Sequence, residues 1–314
     1  MNASQAPLLE ILAHVERALG AGATSIELDV LDPDLGRGHY PGERVDIAGT
    51  TYLHRSLRTW LDLAERLGLR LCTPRPLAPP LVRLVLEPLD PASRLRPTAD
   101  DPTEKYGTAS EFARISKLED PGFVIDLGEA LARCDLAPGA RVLDLGVNTG
   151  DELALLMSLS PALRDATLVG IDHSASAIAA ARARFAGSPN VQLHEADLAT
   201  LGTLALGRFD LVLSIGTLQS PGIDDREVLR RIVQDHLAPD GAVILGVPNC
   251  RYIGGEIEYG TRMKNFRQPE LGLLVKDVAF YRKYLQQHHR EVFVTGKHYV
   301  LVTAIARPIT ASRA

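Results

Sequence analysis

Cysteine is scarce in this chain, and so are aromatics. Three cysteines among 314 residues, Cys72, Cys134 and Cys250, stand far apart and form no CxxC pair. Neither a disulfide framework nor a zinc site follows from them, and a reducing setting fits. Aromatics make up 5% of the chain, with one tryptophan. No apolar run approaches the ~18 residues of a membrane span, and the first residues, "MNASQAPLLEILAHVE", lack the basic and apolar regions of a signal peptide. These absences predict a soluble, cytoplasmic protein with no membrane partner. There is no G-x-G-x-x-G dinucleotide fingerprint. Nor is there an internal repeat, so solenoids are excluded.

Charge is unevenly spread. The formal net charge is −5, which does not suggest a chain built around nucleic acid. Residues 101–250 carry 12 Lys/Arg against 21 Asp/Glu, whereas residues 251–314 carry 11 against 5. The C-terminal end is therefore locally basic.

The first 90 residues read as a small α/β unit. "PLLEILAHVERAL" places Leu8, Leu9, Ile11, Leu12, Val15 and Leu19 on one helical face, and "SIELDVLD" alternates like a strand. A Gly/Pro-rich loop, "GRGHYPGERVDIAG", precedes a second helix, "YLHRSLRTWLDLAERLG", and two apolar segments, "LRLCTP" and "LVRLVLEPL". Residues 91–107, proline-rich and without apolar periodicity, read as a linker. Within the unit, His39, Tyr40, Arg44, His54, Arg55, Arg58 and Trp60 suit gripping an acceptor or forming an interdomain or dimer surface.

From residue 108 to 314 the pattern changes. Two helices, "TASEFARISKLE" and "GFVIDLGEALARC", lead into seven strands: "RVLDLG", "ATLVGID", "VQLHEAD", "FDLVLSIG", "GAVILGVP", "EVFVTG" and "YVLVTAIA". The first five are spaced for right-handed crossovers and parallel pairing. "TGKH" is too short for a crossover, so the last two form an antiparallel hairpin.

The turn in "RVLDLGVNTGDEL" is where a doubly wound sheet binds its ligand. Gly146 and Gly150 permit close backbone approach, and Asn148 accepts left-handed dihedrals more readily than most residues. Asp151 and Glu152 open the next helix, which opposes a pyrophosphate and suits a cationic or zwitterionic ligand.

This segment resembles the first motif of the class I S-adenosylmethionine-dependent methyltransferases, with Asp144, Gly146 and Gly150 matched and Asn148 where the middle glycine usually lies. "VGIDHS" resembles the second motif, with Asp172 placed for the ribose hydroxyls, and "HEADL" supplies Asp197 for the adenine amine. "RFDLVLSIGTLQS" looks like the fourth. The resemblance covers roughly residues 105–307. It implies a Rossmann-like seven-stranded sheet with an antiparallel last strand, S-adenosyl-L-methionine as cofactor, and methyl transfer. It implies cofactor contacts from Asp144, Gly146, Asn148, Thr149, Gly150, Asp172, His173, Asp197, Leu198 and Ser214. A cation for the methionine carboxylate would come from Arg114, with Lys105 and Lys117 nearby. Acceptor-side positions are Thr217, Gln219, Ser220 and Asn249, and no fixed catalytic residue is required.

Three readings of function follow. A small-molecule acceptor suits the acidic total charge. An RNA acceptor, a tRNA base in particular, suits the basic and aromatic insertion after strand five, with Arg251, Tyr252, Tyr259, Arg262, Lys264 and Phe266 before a helix bearing Phe280, Tyr281, Arg282, Lys283 and Tyr284. A non-catalytic binding or assembly module would keep the fold alone. The oligomeric state is not legible in the sequence.

Overall fold

The structure is a computed structural model, and it describes residues 1–95, 102–160, 163–260 and 271–307. The chain divides into two compact units, Met1–Arg94 with Arg251–Glu258, and Leu95–Cys250 with Tyr259–Ala314. No helix among the described residues is long and apolar enough to cross a membrane.

In the smaller unit, β1 (Ile26–Leu31), β6 (Leu81–Pro88) and β4 (Leu69–Leu71) pair antiparallel in the order β1-β6-β4, and β5 (Arg75–Pro76) also joins β6. Helices α1 (Leu8–Gly20) and α2 (Leu57–Arg66) bring Ile11, Val15 and Trp60 onto Leu28, Leu84 and Leu86. Leu9, expected on the buried face of α1, is 79% exposed. It precedes Ile11 by two positions, which puts it on roughly the opposite side of a 3.6-residue turn. The second helix begins five residues later than its pattern predicts. Tyr52 and Leu53 belong instead to a hairpin of β2 (Arg44–Ile47) and β3 (Thr50–Leu53), closed by Ala48 at φ 48° and Gly49 at φ 82°. Two successive positive φ values make the two-residue turn that matches strand twist, and they turn part of the expected loop into a strand.

The larger unit is built on β7 (Arg141–Leu145), β8 (Thr167–Asp172), β9 (Val191–Glu195), β10 (Phe209–Ile215), β11 (Leu237–Pro248), β14 (Arg290–Thr295) and β15 (Tyr299–Ala306). Their order is β14-β15-β11-β10-β7-β8-β9. β7 to β11 run parallel, and β15 runs antiparallel to both its neighbours, as the short "TGKH" link predicts. Successive strand residues point to opposite faces, so Leu143, Leu145 and Val243 join one core while Val142, Leu213 and Ile244 join the other. Helices α3 (Pro121–Cys134), α4 (Asp151–Leu159) and α5 (Ala175–Arg184) contribute Phe123, Leu127, Leu153, Leu156 and Ile178 to the second core. The first takes Val228 and Leu229 of α6 (Asp225–Arg231) and Tyr281 and Leu285 of α7 (Gly272–Gln287). A sheet covered on both faces results, with near-continuous apolar strands.

The segment 108–119 is not the helix its composition suggests. It forms two short 3₁₀ turns, Glu111–Arg114 and Lys117–Glu119, separated by extended Ile115 and Ser116. In the insertion after β11, β12 (Cys250–Ile253) and β13 (Glu256–Tyr259) form a hairpin around Gly254 and Gly255, both at positive φ. Arg251 and Tyr252 lie on β12, whereas Arg262, Lys264 and Phe266 lie outside the described residues.

Candidate functional site

Strand order reverses at β7, which has β8 on one side and β10 on the other. The turns leaving β7 and β10 therefore diverge and open a crevice at the carboxyl end of the sheet. Gly146 at φ 83° starts the first of these turns, Asn148 follows at φ 46°, and Gly150 at φ 85° caps α4. All three adopt the left-handed conformation that their residue types tolerate. A Cβ at Gly146 would collide with Thr217 of the turn after β10, and one at Gly150 would collide with the Phe185 ring. The two glycines thus let the loops approach as closely as they do.

Asp172, at the tip of β8, is 8% exposed. Its Oδ2 accepts from the Asn148 N–H at 2.9 Å and its Oδ1 from the Ser174 N–H at 2.9 Å. One carboxylate thus ties the first turn to the start of α5, and each oxygen keeps a further lone pair. Ser174, not Asp172, caps α5, accepting from the Ala177 N–H at 3.1 Å. His173 is beside Asp172, its Nδ1 3.6 Å from Oδ1. Asn148 Nδ2 donates to the Tyr106 carbonyl at 2.8 Å, and its Oδ1 accepts from Thr149 N–H at 2.8 Å. Glu104, which sequence reasoning passed over, accepts from the Ser174 hydroxyl at 3.0 Å and the Ser176 N–H at 3.2 Å. Hydrogen bonds from Ser176 hold its carboxyl below the usual range. Residues 104–106 are fastened in this way across the Asn148 and Ser174 edges.

Beneath the turn lies an unbalanced set of charges. Asp144 and Glu152 are each 1% exposed. Lys117 pairs with Glu152 Oε1, while Asp144 Oδ2 and Glu152 Oε2 are buried without a hydrogen-bond partner among the described residues. Burial, then the neighbouring Glu152, push the Asp144 carboxyl well above its ordinary range, with Lys117 opposing. Burial is the largest influence and disfavours the Lys117 charge, but Glu152, Tyr299 and Asp144 together more than offset it and the ammonium's pKa is raised. Asp151 is answered by Arg184 Nη1 at 2.5 Å. Among the described residues, three buried acids, Asp144, Glu152 and Asp172, are thus set against one partly buried cation, Lys117.

The other expected site residues divide. Ser214 is buried at the end of β10, with its hydroxyl donating to the Leu145 carbonyl at 3.3 Å. Asp197 caps the turn Leu198–Thr203, accepting from the Ala199 N–H at 2.8 Å, and Leu198 is buried beneath it. Arg114 is exposed on its 3₁₀ turn, and Lys117 rather than Arg114 reaches the buried acids. Gln219 Nε2 donates to the Tyr281 hydroxyl at 3.3 Å, and that hydroxyl donates to Asp225 Oδ2 at 2.8 Å. Burial is the main reason the Tyr281 phenol is pushed far up. Of the helix aromatics, Tyr281 is core, Phe280 and Tyr284 are partly buried, and Arg282 and Lys283 are exposed. In the smaller unit Trp60, His54 and Arg55 are buried while Tyr40 is 74% exposed, so that cluster does not form one accessible grip.

A second group stands where β11 and β15 meet. Asn249 N–H donates to the His298 carbonyl at 2.8 Å, and its side-chain Nδ2 donates to the Lys297 carbonyl at 2.9 Å. His298 Nδ1 contacts Asp120 Oδ2, and its Nε2 is hydrogen-bonded to the Tyr259 hydroxyl. Asp120 also caps α3 through Oδ1, accepting from the Phe123 N–H at 2.9 Å. The sequence pattern marks Asp120 only as a cap before Pro121 and His298 only as a hairpin residue. Nothing in their spacing joins them.

The sheet order, the left-handed turn and the acid at the second strand tip define a Rossmann-like α/β architecture. Residues 142–241 match the family model described as "Methyltransferase domain". Trans-aconitate 2-methyltransferase of Variovorax paradoxus is 33% identical over 123 residues, 39% of this chain and 44% of that protein. Carboxy-S-adenosyl-L-methionine synthase of Methylococcus capsulatus is 36% identical over 112 residues, 34% of this chain and 45% of that one. The chain spans about half the length of the curated relatives it matches. Among solved structures, a SAM-dependent methyltransferase from Aquifex aeolicus superposes with a TM-score of 0.44 at 17% identity, covering 62% of this chain and 98% of that chain.

The residues fit the cofactor. Two buried carboxylate oxygens without partners suit an ammonium group, and Asp172 keeps acceptor capacity for a diol.

Proposed function

We propose that this protein transfers the methyl group of S-adenosyl-L-methionine to a small-molecule acceptor. The observation that carries the reading is the pair of buried, partnerless carboxylate oxygens on Asp144 and Glu152, beneath a glycine turn that leaves backbone within reach of a ligand. Burying such oxygens unpaired costs about 1–3 kcal/mol each or more, and a cationic ligand removes that cost. S-adenosylmethionine carries two positive centres, on the amine and the sulfonium, against a single carboxylate.

In this reading Asp144 and Glu152 receive the ammonium, and backbone from Gly146 to Gly150, including Asn148 and Thr149, lines the methionine end. Asp172 takes the ribose hydroxyls. His173, Asp197 and Leu198 border the adenine, Ser214 supports the floor, and Arg114 or Lys105 answers the methionine carboxylate. Lys117 is committed to Glu152. Thr217, Gln219 and Asn249 face the acceptor side. Bound cofactor supplies an already activated methyl group, so positioning and exclusion of water account for most of the rate. The smaller unit is read as an accessory domain, residues 1–90, joined through 91–107 to the methyltransferase domain at 108–314.

A small acceptor is supported by the acidic total charge, and three of the relatives bear the name of a small polyacid methyltransferase. An RNA acceptor is the second reading, favoured by the 11 Lys/Arg against 5 Asp/Glu in residues 251–314. Binding of bulk tRNA that weakens steeply with added salt would favour RNA, because phosphate contacts release counterions. No tRNA binding at low salt, with transfer to a small acid detected by release of S-adenosylhomocysteine, is the expected outcome.

A further inference from the structure

We infer that Asp120, His298 and Tyr259 form a proton relay that serves the acceptor, with Tyr259 as its acceptor-facing end. The inference rests on the methyltransferase reading above, and it assigns a chemical role that the cofactor motifs do not contain.

The three side chains come from separate elements. Asp120 precedes α3, Tyr259 ends β13 and His298 precedes β15, yet the His298 ring meets both, its Nδ1 lying against the Asp120 carboxylate and its Nε2 hydrogen-bonded to the Tyr259 hydroxyl. A carboxylate can only accept, so Nδ1 carries the hydrogen, which leaves Nε2 bare to accept from the phenol. Asp120 and His298 side chains are each 13% exposed, so their interaction is shielded from water. Burial holds the imidazole below the usual histidine range, which favours the neutral ring. The charged or titratable groups described around the ring are Asp120, Tyr259 and Lys297, whose Nζ lies 4.3 Å from the Tyr259 ring centre.

The group lies at the carboxyl end of the sheet, where ligands of open α/β folds bind. The residue after His298 is Tyr299, which pairs with Pro248 at the end of β11. A Cβ on Gly216, which follows β10, would be 3.4 Å from the Tyr299 ring. Gly216 adjoins Thr217, the residue against Gly146, so a few contacts join the relay to the cofactor turn. Asn249, already an acceptor-side position, is held by the backbone of Lys297 and His298 and keeps a buried Oδ1 without a partner among the described residues.

The step balances. An acceptor lone pair takes the methyl group while the carbon–sulfur bond breaks with its electrons left on sulfur. The acceptor's proton passes to the Tyr259 oxygen as Tyr259 gives its own to His298 Nε2. The imidazolium is stabilised by Asp120 and later returns the proton to solvent. Such assistance is typically worth about 10²–10⁴ in rate. Tyr259 is the catalytic residue here, and His298 and Asp120 are positioning residues.

Two arms test the relay. Nitrogen NMR of histidine-labelled protein saturated with S-adenosylhomocysteine, with His298→Gln identifying the resonance, should show Nδ1 protonated and Nε2 bare at neutral pH. Tyr259→Phe should shift Nε2 alone. A ring protonated at Nε2, or an imidazolium, overturns the relay. The kinetic arm uses catechol as probe acceptor, because a phenol carries the proton that the relay removes and an ionised carboxylate does not. Tyr259→Phe should lower kcat at least about tenfold while cofactor affinity stays within about twofold. Asp120→Asn keeps the helix cap and removes the charge, so it should also lower kcat and move the acid limb of the pH profile to lower pH. Unchanged kcat in Tyr259→Phe with intact cofactor binding sinks the relay alone. Failure of the unsubstituted protein to bind S-adenosylmethionine sinks the methyltransferase reading instead. If catechol is not methylated, the NMR result decides.

Discussion

At the scale of single residues, the account turns on which buried acids are satisfied. Asp172 organises two backbone N–H groups and Asp144 has one oxygen with no partner among the described residues. Asp172→Ala should weaken S-adenosylmethionine binding at least about tenfold, since hydrogen bonds to a charged group are worth ~1.5–3 kcal/mol. Two newly unpaired N–H groups should also lower stability by about 1–3 kcal/mol or more, read by urea unfolding. Unchanged affinity would refute the ribose assignment. Asp144 gives the pH dependence its sign. Its carboxyl is raised, so the folded protein holds the proton more tightly than the unfolded chain does. Its contribution to stability is present below the ordinary carboxylate range and is lost as pH rises through the raised value. Cofactor affinity runs the other way, strengthening as Asp144 ionises and attracts the ammonium. Calorimetry across pH should show proton release on binding, and Asp144→Asn should abolish it. A pH-independent affinity in the unsubstituted protein would contradict the ammonium assignment.

At the scale of elements, the strands and most helices could be read directly because burial imposes a period. Apolar runs such as "RVLDLG" and "FDLVLSIG" are bounded by glycine, and the link between β14 and β15 is too short for any parallel crossover. Where local chemistry outweighed periodicity, the reading failed. Ala48 and Gly49 at positive φ made a hairpin from expected loop and helix, and segment 108–119 took two short 3₁₀ turns with extended residues between them in place of the expected helix. The turn from Gly146 to Gly150 and the acid at the tip of β8 were legible because they lie in short contiguous motifs. Lys117 with Glu152, Glu104 with Ser174, and Asp120 with His298 and Tyr259 were not, because each pairing depends on segments far apart in sequence meeting in space. One such long-range contact belongs to α7. The Tyr281 hydroxyl is buried and bonds Asp225 and Gln219, so Tyr281→Phe should cost about 1–3 kcal/mol by leaving those groups unpaired. A change within ~0.5 kcal/mol in urea melts would show the hydroxyl to be dispensable for packing α7.

At the scale of the whole molecule, the smaller unit has a core separate from the two that flank the seven-stranded sheet. The smaller unit rests on Ile11, Val15, Leu28, Trp60, Leu84 and Leu86, and none of these belongs to the cores around the seven-stranded sheet. Trp60→Ala should therefore destabilise that unit by about 3–5 kcal/mol and leave S-adenosylmethionine affinity unchanged. Weakened cofactor binding in that variant would show the smaller unit to be part of the cofactor site. The central claim is that the glycine turn and its buried acids hold S-adenosylmethionine. Calorimetric titration of the purified protein with S-adenosylmethionine, S-adenosylhomocysteine and NAD tests it most directly. The account predicts that the first two bind and NAD does not. Binding of NAD in preference to both, or binding of none of the three, would contradict it.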